Sequence, residues 1–282
     1  MPLDRAKDKA NGYGTSRAAL TYGAGHAEGQ IDETRSKNLA AGSGTSIFDP
    51  VLCELAYRWF CPVGGAILDP FAGGSVRGIV AGILGRKYTG LELRPEQVAA
   101  NRFQVGIVPD GSPRPEWITT DSLKMNDALP ADYMADMVFS CPPYADLEVY
   151  SDTPEDLSTM AYPEFIRVYR EIIALSVARM KPDSFACFVV GEVRGKNGDY
   201  YGFVPDTIQA FQDAGAPLYN EAILITAVGS LSIRAAKQFN ASRKLGKTHQ
   251  NVLVFVKGDG KRATKNIGAV EFGDVPDQAT DE

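Results

Sequence analysis

The segment AILDPFAGGSVRGIVAGILG, residues 66–85, decides the fold. It opens with a short apolar strand ending in Asp69, breaks at Pro70, passes through Phe71, Ala72, Gly73 and Gly74, and enters a helical pattern over 75–84. A strand that turns through glycine into a helix is the first half of a βαβ unit. In doubly wound sheets, ligands sit outside the carboxyl ends of the strands. Glycines let a ligand approach the backbone there, and the helix start supplies unpaired N–H groups. Adjacent glycines followed by Ser75 depart from GxGxxG, and the absence of GK[ST] argues against a nucleoside triphosphate. The same glycines would also serve a plain strand-to-helix connection. What tips the reading is Glu92, twenty-three positions after Asp69 at the end of a second strand, where a carboxylate can accept both ribose hydroxyls of an adenosine-containing cofactor.

Outward from this segment, strands are expected near 87–92, 117–120, 136–141, 184–190, 221–228 and 250–257, with helices near 95–105, 163–180 and 204–214. Strands alternating with helices predict an α/β, Rossmann-like, seven-stranded and mostly parallel sheet. The last two strands read as successive, with no helix between them, which predicts an antiparallel edge pair. Upstream, SIFDPVLCELAYRWF (46–60) places Val51, Leu52, Leu55, Ala56 and Trp59 on one helical face, with Asp49 as N-cap and Pro50 at the first helical position. Trp59, Phe60 and Met160 read as core. Residues 1–45 read as a flexible N-terminal arm, 46–258 as one domain, and 259–282 as a polar, disordered tail.

Composition sets the outer bounds. The 282 residues are 44% hydrophobic and 23% charged, which excludes fibrous, coiled-coil and wholly disordered classes. Four cysteines without CxxC pairs and only two histidines leave little from which to build a metal site, and none is expected. No apolar run is long enough to span a membrane, and no secretory leader is visible, so a cytoplasmic setting is expected. A monomer and a homodimer fit equally well.

The segment DMVFSCPPYADLEVYS (136–151) carries the chemistry. An apolar strand ends at Cys141, and neither Pro142 nor Pro143 has an N–H, so the turn offers acceptors without donors. An amino group, whose hydrogens need acceptors, suits that deficit. Tyr144 adds an aromatic face for a planar base. After the third strand, Asp121 and Ser122 offer a helix N-cap and an acceptor for an adenine amino group.

These two turns resemble those of the class I S-adenosylmethionine-dependent methyltransferases that methylate exocyclic amino groups of DNA bases, at N6 of adenine or N4 of cytosine. Asp69 through Gly74 match that family's cofactor turn, and Glu92, with Leu93 after it, matches its acidic residue. Cys141-Pro142-Pro143-Tyr144 matches its catalytic turn, with cysteine where the family has Asp, Asn or Ser. Ser46 and Phe48 fall in a segment that the resemblance places near the methionine end of the cofactor. It implies S-adenosylmethionine as cofactor, DNA as partner, and a target base flipped out of the duplex, the chemistry of restriction-modification systems. The cofactor turn precedes the catalytic turn here, and no large target-recognition domain follows the last strand. A cysteine before both prolines, rather than after one, argues against a covalent nucleophile. The alternatives are methylation of RNA or a protein amide by the same fold, and a catalytically weak cofactor- and DNA-binding protein.

Net charge is −6, yet residues 222–258 hold Arg234, Lys237, Arg243, Lys244, Lys247 and Lys257 and no acidic residue. Arg234, Lys237, Arg243 and Lys244, on a loop between the last two strands, are the expected phosphate contacts. The acidic stretch after the catalytic turn reads as a lid.

Overall fold

A computed structural model describes residues 47–144, 150–226 and 231–270, the last of these with side chains from residue 235. Seven strands run β1 (Ala66–Asp69), β2 (Lys87–Glu92), β3 (Glu116–Thr119), β4 (Ala135–Ser140), β5 (Met180–Val190), β6 (Leu218–Ile225) and β7 (His249–Lys257). They form one sheet in the order β3-β2-β1-β4-β5-β7-β6. Neighbours from β3 to β5 are parallel, while β7 runs antiparallel to both β5 and β6. This is the expected Rossmann-like, class I methyltransferase fold.

Eight helices accompany the sheet among the described residues: α1 (Pro50–Phe60), α2 (Val76–Ile83), α3 (Pro95–Phe103), α4 (Met125–Ala128), α5 (Tyr162–Ala178), α6 (Phe203–Asp213), α7 (Leu231–Ser242) and α8 (Gly260–Ile267). One face of the sheet buries Phe165, Tyr169 and Ile172 of α5 with Phe203 and Phe211 of α6. The other buries Cys53, Ala56 and Tyr57 of α1, Val98 of α3 and Ala263 of α8. Strands β4 and β5 lie between these layers, and their stretches 137–139 and 185–190 are apolar and buried throughout, as strands covered on both faces must be.

Three expectations about the elements are corrected. First, α1 starts as predicted, with Asp49 Oδ1 accepting from the Val51 and Leu52 N–H groups, but the face it buries is only partly the expected one: Ala56 is buried and Leu52 packs against the core, with Cys53 and Tyr57 beside them. Val51, Leu55 and Trp59 are exposed, and Cys53, Ala56 and Tyr57 pack inward because the Tyr57 hydroxyl reaches the Arg77 carbonyl at 3.1 Å. Trp59 is therefore not core, whereas Phe60 and Met160 do pack against it. Second, β6 and β7 are separated by a helix, α7, so Lys237 lies on a helix, and Arg243 and Lys244 follow it. From Ala236 to Ser242 it is exposed at every position; alanine, lysine and glutamine are good helix formers. Third, the first part of the presumed tail is helical: Asp259 caps α8 by accepting from the Arg262 N–H, and Ala263 anchors it. The arm 1–45, Ser46 and residues 271–282 lie outside the described residues, as does the Arg234 side chain.

The connections from β1 and β4 diverge, β1 leading to β2 on one side and β4 to β5 on the other, while the two strands pair directly through Ile67 with Met137 and Leu68 with Val138. Such a reversal of strand order opens a crevice at the carboxyl ends. Here the two chemically informative turns leave adjacent strands at that crevice.

Candidate active site

Asp69 is fully buried and organises the crevice. Its Oδ1 accepts from the Phe71 N–H at 3.1 Å and from Ser140 Oγ at 2.5 Å; its Oδ2 accepts from Arg77 Nε at 2.6 Å and from the Tyr88 hydroxyl at 2.8 Å. Four donors leave no room for a ligand. Asp69, expected to touch cofactor, is instead a positioning residue that ties β1, β2 and β4 together. Arg77, which sequence reasoning missed, completes the arrangement by donating to the Phe71 and Ala72 carbonyls at 2.5 and 2.8 Å. Burial is the largest single influence and acts to discharge its guanidinium, but Asp69, Tyr88 and Cys141 together outweigh it, and its pKa lies above the ordinary arginine value. Phe48 lies beneath that guanidinium at 4.9 Å and edge-on to Phe139, so it supports the turn.

The glycine turn closes on Glu92. Its Oε2 accepts from the Gly73 N–H at 2.9 Å and its Oε1 from the Arg94 N–H at 3.0 Å. Gly73 has a φ of +49°, a left-handed value that L side chains rarely adopt, and its carbonyl accepts from Asn101 Nδ2 at 2.7 Å. Ala72 donates to the Leu91 carbonyl, and a Cβ on Gly90 would lie 2.7 Å from the Ala72 methyl, so only glycine lets β2 and the turn approach this closely. Above Gly74 a Cβ would meet nothing within 4 Å, so the turn faces open space. Ser75 gives α2 no side-chain cap, and its first N–H groups remain available.

The third strand adds a short platform. The Asp121 side chain caps the following 3-10 turn through the Leu123 N–H, and Ser122 Oγ donates to the Pro70 carbonyl at 2.6 Å. Ser122 is thereby a brace for the cofactor turn. Leu93 is half-buried.

The catalytic turn follows β4. Pro142 is buried, and Cys141 and Pro143 are half-buried. Tyr144 is half-buried: its ring packs edge-on against Phe203 at 6.0 Å, and its hydroxyl donates toward the Val189 carbonyl at 3.4 Å. Gln250 Nε2 donates to that hydroxyl at 2.5 Å, and Cys141 Sγ lies 3.6 Å away. Burial, reinforced by Cys141, pushes the phenol's pKa well up. Tyr144 therefore fixes the turn against β5 and β7 through its hydroxyl.

Two further groups flank the crevice. The described part of the acidic segment is a small ordered cap in which Asp156 accepts from Ser151 Oγ and from the Ser158 N–H. Its Tyr150 rests on Arg94, with the guanidinium 5.9 Å from the ring, and residues 145–149 lie outside the described residues. On the other side, Lys237 and Arg243 are exposed, and Lys244 Nζ lies against Gly198. Arg77, Arg94, Asn101 and Gln250 were the residues missed. A lone arginine within the apolar run VRGIVAGI was the one available signal.

No family model and no curated protein matches the chain. Among solved structures, it is similar to TrmN from Thermus thermophilus at 15% identity and a TM-score of 0.49, over 79% of this chain and 52% of that one. The chain thus spans about half the length of TrmN. It is also similar to magnesium protoporphyrin IX methyltransferase (ChlM) from Synechocystis PCC 6803, solved with bound SAM, at 12% identity and a TM-score of 0.48, over 91% of this chain and 99% of that one. A methyltransferase from Pyrococcus furiosus aligns at 12% identity and a TM-score of 0.47, over 75% and 84% of the two chains. Likeness at this level concerns the course of the backbone and leaves function to the site.

Proposed function

We propose that the protein transfers a methyl group from S-adenosylmethionine to an exocyclic amino group of a DNA base, N6 of adenine or N4 of cytosine. The observation that carries this is the direct adjacency of the two turns: Asp69 of the cofactor turn and Ser140, immediately before Cys141-Pro142-Pro143-Tyr144, share a 2.5 Å hydrogen bond.

The residues present fit the cofactor. Glu92 is oriented by Gly73 and Arg94 and would accept the ribose hydroxyls. Gly73 and Gly74 leave the open approach such a ligand needs, beside the uncapped start of α2. Asp121 uses Oδ1 for its cap, and Oδ2 would accept the adenine amino group. When bound, the cofactor supplies an electrophilic methyl carbon.

The chain's own contribution is positioning. Pro142 and Pro143 have no N–H, so their carbonyls meet the substrate as acceptors. A carbonyl accepting from the amino hydrogens draws the nitrogen toward tetrahedral geometry and exposes its lone pair. Transfer requires in-line alignment, and tying both turns to one buried carboxylate supplies it. Cys141 neighbours the acceptor carbonyl, and its sulfur is turned toward the Tyr144 hydroxyl, so its role is to orient the turn. Lys237, Arg243 and Lys244 would neutralise phosphates along one face, so the net charge of −6 does not oppose DNA binding.

The test is incubation with labelled cofactor and duplex DNA, followed by mass spectrometry of the nucleosides, with RNA and protein in parallel. N6-methyladenine or N4-methylcytosine is expected. Transfer to RNA or protein alone, or no transfer despite cofactor binding, refutes the assignment.

A further inference from the structure

Beside the catalytic turn, residues 193–201 fold back on themselves. Arg194 bridges to Tyr200, the Tyr201 N–H donates to the Val193 carbonyl at 3.0 Å, and the Gly195 N–H donates to the Asp199 carbonyl at 2.9 Å. The hairpin follows β5, whose Val189 carbonyl receives the Tyr144 hydroxyl, so it stands at the same end of the sheet as the crevice. Between it and the start of α5 lies a cleft of about 480 Å³, lined by Tyr162, Lys196, Tyr200 and Tyr201 among others. None of these residues has a part in the methyl-transfer site.

The aromatic groups have distinct roles. Tyr162 and Tyr201 stack on each other at 4.3 Å and 8°, and the Tyr162 hydroxyl donates to Asp206 at 2.6 Å, so this pair is a fixed wall. Tyr200 is 46% exposed. One face of its ring is covered by the Arg194 guanidinium at 4.0 Å, and Arg194 is itself pinned by donating to the Gly198 carbonyl at 2.7 Å. An exposed tyrosine held rigid on one face by a cation presents its other face to a planar partner. Beside it are the guanidinium of Arg194 and exposed Lys196, while Lys244 Nζ lies against Gly198 of the same hairpin; the carboxylates nearby are Asp199 on the rim, Asp206, already bonded to Tyr162, and Glu192, which accepts from the Phe203 and Val204 N–H groups. Aromatic faces set among phosphate-binding cations recognise single-stranded nucleic acid.

We propose that this cleft holds an unstacked nucleotide of the DNA strand next to the target base, its base on Tyr200 and its phosphate on Lys196. The proposal rests on the reading of the protein as a nucleic-acid methyltransferase and names how the opened strand is held. Flipping one base unstacks its neighbour, and a second aromatic surface would stabilise that distorted strand.

The experiment uses the full chain and labelled single-stranded 12-nucleotide DNA and RNA probes, with affinity measured by fluorescence anisotropy over a salt series. Tyr200→Ala should weaken DNA binding by roughly five- to a hundredfold, the range of base stacking on an aromatic ring, and Tyr200→Phe should restore it. Lys196→Ala should reduce the salt slope by about one while leaving the effect of Tyr200→Ala intact. Unchanged affinity in Tyr200→Ala, or equal weakness in Tyr200→Phe, overturns the proposal, and preferential binding of RNA overturns DNA as the occupant. Nucleoside analysis is run on the same samples. If probes bind and respond to the variants but no methylated base forms, the methyl-transfer reading fails alone. If Tyr200→Ala methylates DNA with the parent's kcat/KM, the cleft fails alone.

Discussion

Removing the Arg77 side chain by Arg77→Met tests whether the buried carboxylate organises the crevice. Arg77 is 6% exposed at its side chain, and Asp69 is 0% exposed. The substitution keeps length and apolar contact but deletes hydrogen bonds at 2.6, 2.5 and 2.8 Å to Asp69 and to the Phe71 and Ala72 carbonyls. Asp69 keeps donors from Phe71, Ser140 and Tyr88 but loses its countercharge. Breaking a buried ion pair on one side costs about 3–5 kcal/mol, because the remaining charge is uncompensated. Against total stabilities of about 5–15 kcal/mol, that is a large fraction. Urea denaturation followed by tyrosine and tryptophan fluorescence measures the loss, and a double-mutant cycle with Asp69→Asn isolates the pair. The double variant should be more stable than the sum of the two single losses predicts by about 2 kcal/mol or more, since residues in one buried network couple. A loss below about 1 kcal/mol in Arg77→Met, or strict additivity in the cycle, refutes the reasoning.

Glu92→Ala removes the acceptor for Gly73 and Arg94 and the proposed ribose contact, so cofactor affinity should fall at least about tenfold by calorimetry, hydrogen bonds to charged groups being worth about 1.5–3 kcal/mol each. Tyr144→Phe leaves Gln250 without its 2.5 Å partner, and kcat should fall with little change in cofactor affinity; an unchanged kcat would show that the hydroxyl tether is irrelevant. Burial pushes the Cys61 and Cys187 thiols up to about 12 and Cys53 higher still, so at pH 8 a thiol reagent should modify half-exposed Cys141 alone in the native protein and all four cysteines after unfolding. Rapid native modification of a second cysteine contradicts the burial described. Cys141→Ser should retain methyl transfer, and complete loss would restore a covalent mechanism to consideration.

The strands and both turns were legible because apolar runs punctuated by glycine and proline are local signals. Asp49 and Pro50 marked the start of α1 to the residue for the same reason. What escaped depends on partners far along the chain. Asp69 looks like a ligand contact in isolation, and only the approach of Arg77, Tyr88 and Ser140 shows it to be fully engaged. Tyr144 reads only as an aromatic face, and its role as a tether shows when Gln250, 106 positions later, reaches its hydroxyl. Of the helical face expected for α1, packing kept Leu52 and Ala56 and added Cys53 and Tyr57, leaving Val51, Leu55 and Trp59 exposed.

The shared carboxylate of Asp69 has a consequence for how such a protein can diversify. Because Asp69 bonds to donors on β2, α2 and β4 at once, a change in the cofactor turn disturbs the substrate turn, and the reverse. Substitutions there must arise in compensating sets or be lost. New target preferences are therefore expected to accumulate where a side chain can change alone, in the 193–201 hairpin and along α7, while the crevice between β1 and β4 stays the same.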